Sequence, residues 1–311
     1  MLTSVLVVAQ QVLMLFLIMS VGFVCRRIRF LEEKGIKGMI DLLMMVVTPC
    51  LIVHIFERPF EPSMMKGLGL AFVAALFAHV VAAAFATLCI HDRAAPARER
   101  VLRFAVLISN AGYMGIPLEM AVLGKEGAFY GIVYVVMVNL VVWTYGLYVM
   151  CGSRKGLGTR IMFVNPGTVG IALGLPVFLF SLKLPAPLHD AVEHVANMNT
   201  PLAMISVGYF LAGARMGVLL RYSRAYLAMF LRHFAVPLVV IGVLYLFRTA
   251  DPMWELGIIT ASAAPVGAMA AMFAAKYEQD VEIGVGVVTG STLLSILTMP
   301  LVVGFAMWLF S

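Results

Sequence analysis

Residues 102–123 read Leu-Arg-Phe-Ala-Val-Leu-Ile-Ser-Asn-Ala-Gly-Tyr-Met-Gly-Ile-Pro-Leu-Glu-Met-Ala-Val-Leu. The run is as long and as apolar as a membrane-crossing helix, which needs about 20 residues. Its middle, from Ser109 to Pro117, nevertheless gathers an asparagine, two glycines and a proline. Proline removes a backbone donor and clashes with the preceding turn, and glycine weakens a helix further, so the helix is expected to break here. Lipid cannot satisfy the backbone groups that a break frees, so they must line a cavity inside the protein. A half-helix that restarts beyond such a break offers the positive end of its dipole to an anion.

The rest of the chain has the same character. It is 62% hydrophobic and 12% charged over 311 residues, with a mean hydropathy of +1.00, whereas soluble domains carry about 25% charge. Apolar runs fall at 3–25, 36–56, 64–90, 102–123, 127–150, 167–183, 198–214, 225–247, 255–276 and 281–310. Their length and lack of period-2 alternation predict helices rather than barrel strands. The expectation is an all-α membrane protein with ten transmembrane helices. No Lys or Arg precedes Arg26, so the first run reads as a retained span rather than a signal peptide. Four scattered cysteines without a CxxC pair read as small apolar residues.

The formal charge of +6 does not indicate nucleic acid, because the cations cluster in alternate loops. Sixteen of the 22 Lys and Arg fall in 25–37, 91–103, 151–166, 214–224 and 276–283, five fall on the other side, and Arg232 lies within a span. Positive charge marks cytoplasmic loops, which places both termini outside the cytoplasm, in a multi-pass protein of the inner membrane.

Internal symmetry follows from a repeated dipeptide. Thr48-Pro49 in the second span and Thr200-Pro201 in the seventh lie at one offset, and that offset carries Asn110 onto Ser262 and the first five spans onto the last five. Five is odd, so the second copy starts on the opposite face and the repeat is inverted. The domains are then 1–150, a short cytoplasmic loop 151–166, and 167–311. The ninth span has its own weak point at Ser262-Ala263-Ala264-Pro265-Val266-Gly267, so helices 4 and 9 are both expected to be broken. Thr48 and Thr200 are assigned to breaks flanking the site.

Asn110-Ala-Gly112-Tyr-Met-Gly115-Ile-Pro117 resembles the fourth-span signature of the auxin efflux carrier family. Ala264-Pro265, Tyr277, Asp280 and Ser291-Thr292 resemble its C-terminal region. The likeness covers the whole chain, and the short middle loop is similar to the compact bacterial members described as malonate or malate permeases. The resemblance implies a scaffold bundle and a transport bundle, with the fourth and ninth spans crossing at their prolines. On that basis Asn110, Gly112, Pro117 and Pro265 are candidate substrate-binding residues, and Ser262, Ser291 and Thr292 are candidate hydroxyl donors.

Charge inside a span is costly and usually functional. Glu119, just past Pro117, and Asp41, early in the second span, are the candidates for proton or sodium coupling. Asp41 and Arg232 are read as reaching the cytoplasmic interface, and His54 and His79 as packed and neutral. In His189-Asp-Ala-Val-Glu193-His194 the histidines are five apart, not at the i, i+4 spacing of a zinc protease, so a surface helix is expected there. With no GxSxG, Walker loop or metal motif, an enzyme has no visible active site. The function expected is a secondary carrier for a small organic anion, a mono- or dicarboxylate such as malonate or malate, by alternating access, without cofactor, in the lipid bilayer, as one chain or as a homodimer. The rivals are a sodium-coupled organic-anion symporter similar to bile-acid carriers, and a non-transporting sensor or intramembrane enzyme.

Overall fold

The structure, a computed structural model, describes residues 2–152, 166–213, 222–249 and 252–311. Nearly all of the expected loop 151–166, and most of 214–224, lie outside the described residues. Among the described residues six helices are long and apolar enough to cross a membrane: α1 (Leu2–Arg27), α2 (Glu33–Phe56), α3 (Pro62–Cys89), α6 (Gly124–Cys151), α10 (Ser223–Leu246) and α13 (Val281–Phe310). Between them stand α4 (Pro96–Leu107), α5 (residues 111–122), α7 (Pro166–Leu179), α8 (Ala186–Asn197), α9 (Asn199–Gly213), α11 (Met253–Ala263) and α12 (Met269–Lys276). The described residues contain no strand beyond one isolated bridge. The chain is an all-α, multi-pass membrane protein, and its four cysteines are free.

Small residues set the closest helix contacts, as expected where lipid gives no hydrophobic drive for association. Gly22 of α1 and Gly208 of α9 face each other's backbones so closely that a Cβ on either would sit 1.9 Å from Ile205 O or 1.8 Å from Met19 O. Gly170 and Gly174 of α7 pack in the same way on Ile52 and Phe56 of α2. Helices α1, α2, α7 and α9 are thereby drawn together, while α11 packs on α6 and α3 on α6 and α4. Gly304 of α13 against Val5 of α1 joins the two groups. Gly284 packs on Ala271 and Ala274 of α12, so it serves a contact inside the chain.

Candidate functional site

Helix α4 stops at Leu107 and α5 starts at Ala111, while α11 stops at Ala263 and α12 starts at Met269. The two gaps meet. Ser109 and Val266 form an antiparallel bridge, the Asn110 N–H donates to Pro265 O at 2.7 Å, and the Gly267 N–H donates to Ile108 O at 2.9 Å. Each break thus satisfies the other inside the protein.

Had the helices continued, the Asn110 N–H would have bonded Val106 O and the Val266 N–H would have bonded Ser262 O, by the i to i−4 rule. Asn110 turns to Pro265 instead, and the Val266 N–H donates to Ser291 Oγ at 2.8 Å. The two carbonyls left over both accept from one side chain: Arg232 Nη1 donates to Val106 O at 3.3 Å and Nη2 to Ser262 O. Arg232 is fully buried. Its charge sits on the last turns of α4 and α11, where unsatisfied carbonyls give a helix its negative end. The neighbouring His233 places Nε2 2.7 Å from Ser291 Oγ and Nδ1 2.8 Å from Thr298 Oγ1. A π turn over Leu231–Ala235 delivers both side chains, and such turns recur at functional sites.

Two cavities flank this crossing. The first, of about 450 Å³, lies between α2 with Asn199 on one side and α5, α6 and α12 on the other; Thr48, Ser109, Asn110, Gly112, Tyr113, Asn139 and Lys276 are among its lining. The second, of about 420 Å³, runs between α1, α2 and α9 on one side and α12 and α13 on the other, past Arg26, Glu33, Lys37, Thr289 and Thr292. Asn110, Ala268 and Met272 border both. Both volumes lie in the range of ligand pockets, about 300–1,000 Å³. Among the described residues the Asn110 side-chain amide has no partner, which leaves it free for a ligand.

A discontinuous helix pair over cavities is the arrangement of a carrier, and sequence comparison decides the family. The family described as membrane transport protein, the auxin efflux carriers, matches residues 7–161 and 158–303. The chain belongs to this family. It is also similar to an uncharacterized transporter of Methanothermobacter thermautotrophicus, 25% identical over 300 residues, 94% of this chain and 96% of that one. The protein is a membrane transporter.

Within this transporter, the candidate residues separate. Thr48, Asn110 and Gly112 line the first cavity. Pro265 supplies the carbonyl that takes the Asn110 N–H. Ser262 does not line either cavity: its Oγ bonds Ile259 O and its carbonyl holds Arg232, so it plays the part of Val106, not of Asn110. Pro117 is buried in the first turn of Ile116–Val122, well past the true break at Ile108–Asn110, which corrects the expectation that the spans cross at both prolines. The Thr48-Pro49 step interrupts nothing, because a π turn over Leu43–Val47 absorbs it and Thr48 Oγ1 bonds Leu43 O at 2.8 Å. Thr200 is the second residue of α9 and does not line the cavity, whereas the adjacent Asn199 is buried and does.

Asp41 is exposed and borders neither cavity. Glu119 is fully buried, and among the described residues neither carboxylate oxygen has a partner. It presses on Gly131, where a Cβ would come within 1.7 Å of Oε2. Arg232 was expected to reach the interface; the structure buries it because two orphaned carbonyls need its fork. The signal that would have found it was the lone charge within an apolar run. Outside the spans, burial pushes the Glu57 carboxyl up, but the His189 hydrogen bond and the Leu184 N–H outweigh it and hold Glu57 below the usual carboxylate range. The same hydrogen bond, 2.8 Å long, raises His189 above the usual histidine range.

Proposed function

We propose that this transporter is a secondary carrier for a small organic anion that works by alternating access. The observation that carries the reading is the position of Asn110: it stands at the crossing of the two breaks and borders both cavities. A substrate held by the Asn110 amide in one cavity needs only a shift of α1, α2, α7 and α9 against the remaining helices to face the other. The reading places ten spans in two inverted five-span repeats, 1–150 and 167–311, with α4–α5 and α11–α12 as the broken fourth and ninth spans. The reciprocal rescue of Val106 and Ser262 by one arginine supports that symmetry. Lys and Arg placement supports an inner-membrane protein with both termini outside.

The first cavity is lined largely by Ile, Val, Met, Trp143 and Phe273, with Lys276 as its cation. One positive charge in an apolar wall suits a monocarboxylate with an apolar body better than malonate or malate. The sodium-coupled alternative has less support, because freed carbonyls at half-helix C-termini are what hold a coupling cation in broken-helix transporters, and here the guanidinium of Arg232 already occupies them. Coupling to protons has a candidate in Glu119, since a buried unpaired carboxylate is costly to keep. A homodimer belongs to the same proposal. The test is thermal stabilisation of the purified protein by a panel of mono- and dicarboxylates, with and without sodium. Stabilisation by carboxylates that is lost in Asn110→Ala is the expected result; stabilisation by sodium alone refutes it.

A further inference from the structure

The motif at His189 that fits no protease has a different use. Helix α8 carries His189 and Glu193 one turn apart, on the same face. His189 Nε2 lies 3.7 Å from Glu193 Oε2. From α2, His54 points into the same place, with Nε2 3.9 Å from Glu193 Oε1. His54 is only 3% exposed, and among the described residues its Nδ1 has no hydrogen-bond partner, so no hydrogen bond from that nitrogen fixes the ring. The donor atoms of His189, Asp190 and Glu193 all lie within 4.8 Å of one another, and His54 stands just outside that trio, against Glu193.

Ligand atoms about 2.0–2.1 Å from a tetrahedral zinc stand about 3.3 Å apart. The two separations to Glu193 are slightly longer than that, and the ring centres of His54 and His189 stand 5.9 Å apart, so the two rings must turn toward each other to close the site. Glu57 supplies what such sites add around the metal. Its Oε2 accepts from His189 Nδ1 at 2.8 Å, while its Oε1 is occupied by the Leu184 N–H at 3.1 Å. That bond fixes the proton on Nδ1 and leaves Nε2 bare for a metal, the carboxylate–histidine–metal relay of zinc proteins. The geometry points to a Zn2+ site made by His54 Nε2, His189 Nε2 and the Glu193 carboxylate, oriented by Glu57, with a fourth position for water. Bound metal ties α8 to the end of α2. The site does not rest on the carrier reading, since its test reads metal binding alone.

Full-length protein, purified in detergent and stripped with chelator, is titrated with Zn2+ by calorimetry and with Co2+ by visible absorption. The expected result is one metal per chain, with the strong visible bands of four-coordinate Co2+. His54→Gln, His189→Gln and Glu193→Gln each weaken binding at least about tenfold, and Glu57→Gln weakens it about 10- to 100-fold without changing the stoichiometry. His194→Gln, exposed on the same helix, leaves binding unchanged. Metal-free melting curves verify that each variant is folded, and a variant that does not fold is replaced by Ala at the same position. Failure of the folded wild type to bind Zn2+ at submillimolar concentration overturns the site, as does binding that survives in the His189→Gln/Glu193→Gln double variant.

Discussion

Replacing Arg232 by alanine removes the one group that serves both Val106 O and Ser262 O. The amides that would have bonded these carbonyls are engaged with Pro265 O and Ser291 Oγ. A hydrogen bond to a charged group contributes about 1.5–3 kcal/mol, so the pair amounts to roughly 3–6 kcal/mol, against which the cost of burying the guanidinium is recovered in part. The net expectation is a fall in unfolding midpoint on the order of 10 °C. Arg232→Lys restores little, since an ammonium lacks the planar fork that spans two acceptors. The assay is thermal unfolding in detergent with millimolar guanidinium or sodium added back. A small cation that fits between the two carbonyls restores the midpoint of Arg232→Ala and leaves the wild type unmoved. An alanine variant as stable as the wild type, or one that no cation rescues, refutes the assignment of Arg232 as the built-in cation of the crossing.

Asn110→Ala keeps the bridge, which uses only its backbone, and removes the amide from both cavities; carboxylate binding by calorimetry is expected to weaken about 10- to 100-fold with little change in melting. Glu119→Gln is isosteric beside Gly131, so the protein folds, and uptake into proteoliposomes loses its dependence on an imposed proton gradient; an unchanged dependence removes Glu119 from coupling. The His189–Glu57 tie is pH-dependent in a defined sense. The raised His189 contributes stability below the ordinary histidine range and loses it as pH rises through its folded value. The lowered Glu57 contributes above the ordinary carboxylate range and loses it as pH falls through its own folded value. Glu57→Gln in chelator-treated protein therefore destabilises most between about pH 5 and 6.5, with the deficit shrinking at alkaline pH, as melting across a pH series reads out.

The membrane class and the helical nature of the chain were legible from run length and charge, because lipid permits few alternatives. Asn110 and Gly112 were legible because a polar residue and a glycine within an apolar run have few structural reasons to be there. The partners of the crossing were not legible. Arg232 and His233 come from a helix more than a hundred residues away in sequence from α4, and their use depends on which carbonyls the breaks leave free. Asn199 escaped notice because the Thr-Pro step beside it drew the reading by one residue, and on a helix one residue is about 100° of rotation.

The prolines explain the largest difference. Pro49 and Pro117 were expected at broken helices, yet these two, and Pro237 likewise, each follow a π turn that ends two residues earlier, at Val47, Gly115 and Ala235. In each case the residue just before the proline donates its N–H five residues back: Thr48 to Leu43 O, Ile116 to Ala111 O, and Val236 to Leu231 O. The wider turn moves the carbonyl that a proline ring would strike and uses up the donor before the one that proline lacks. The helix passes through, but its side chains beyond the turn are rotated from where a regular helix puts them. Within the turns themselves, Gly112 and Tyr113 line the first cavity and Arg232 reaches the two orphaned carbonyls. Only Pro265 stands at a true break, because there the Val266 amide has a side-chain acceptor, Ser291 Oγ, and the Pro265 carbonyl has a donor in Asn110. A proline in a membrane span therefore breaks the helix where other side chains and backbones stand ready to take the freed groups, and otherwise re-aims it.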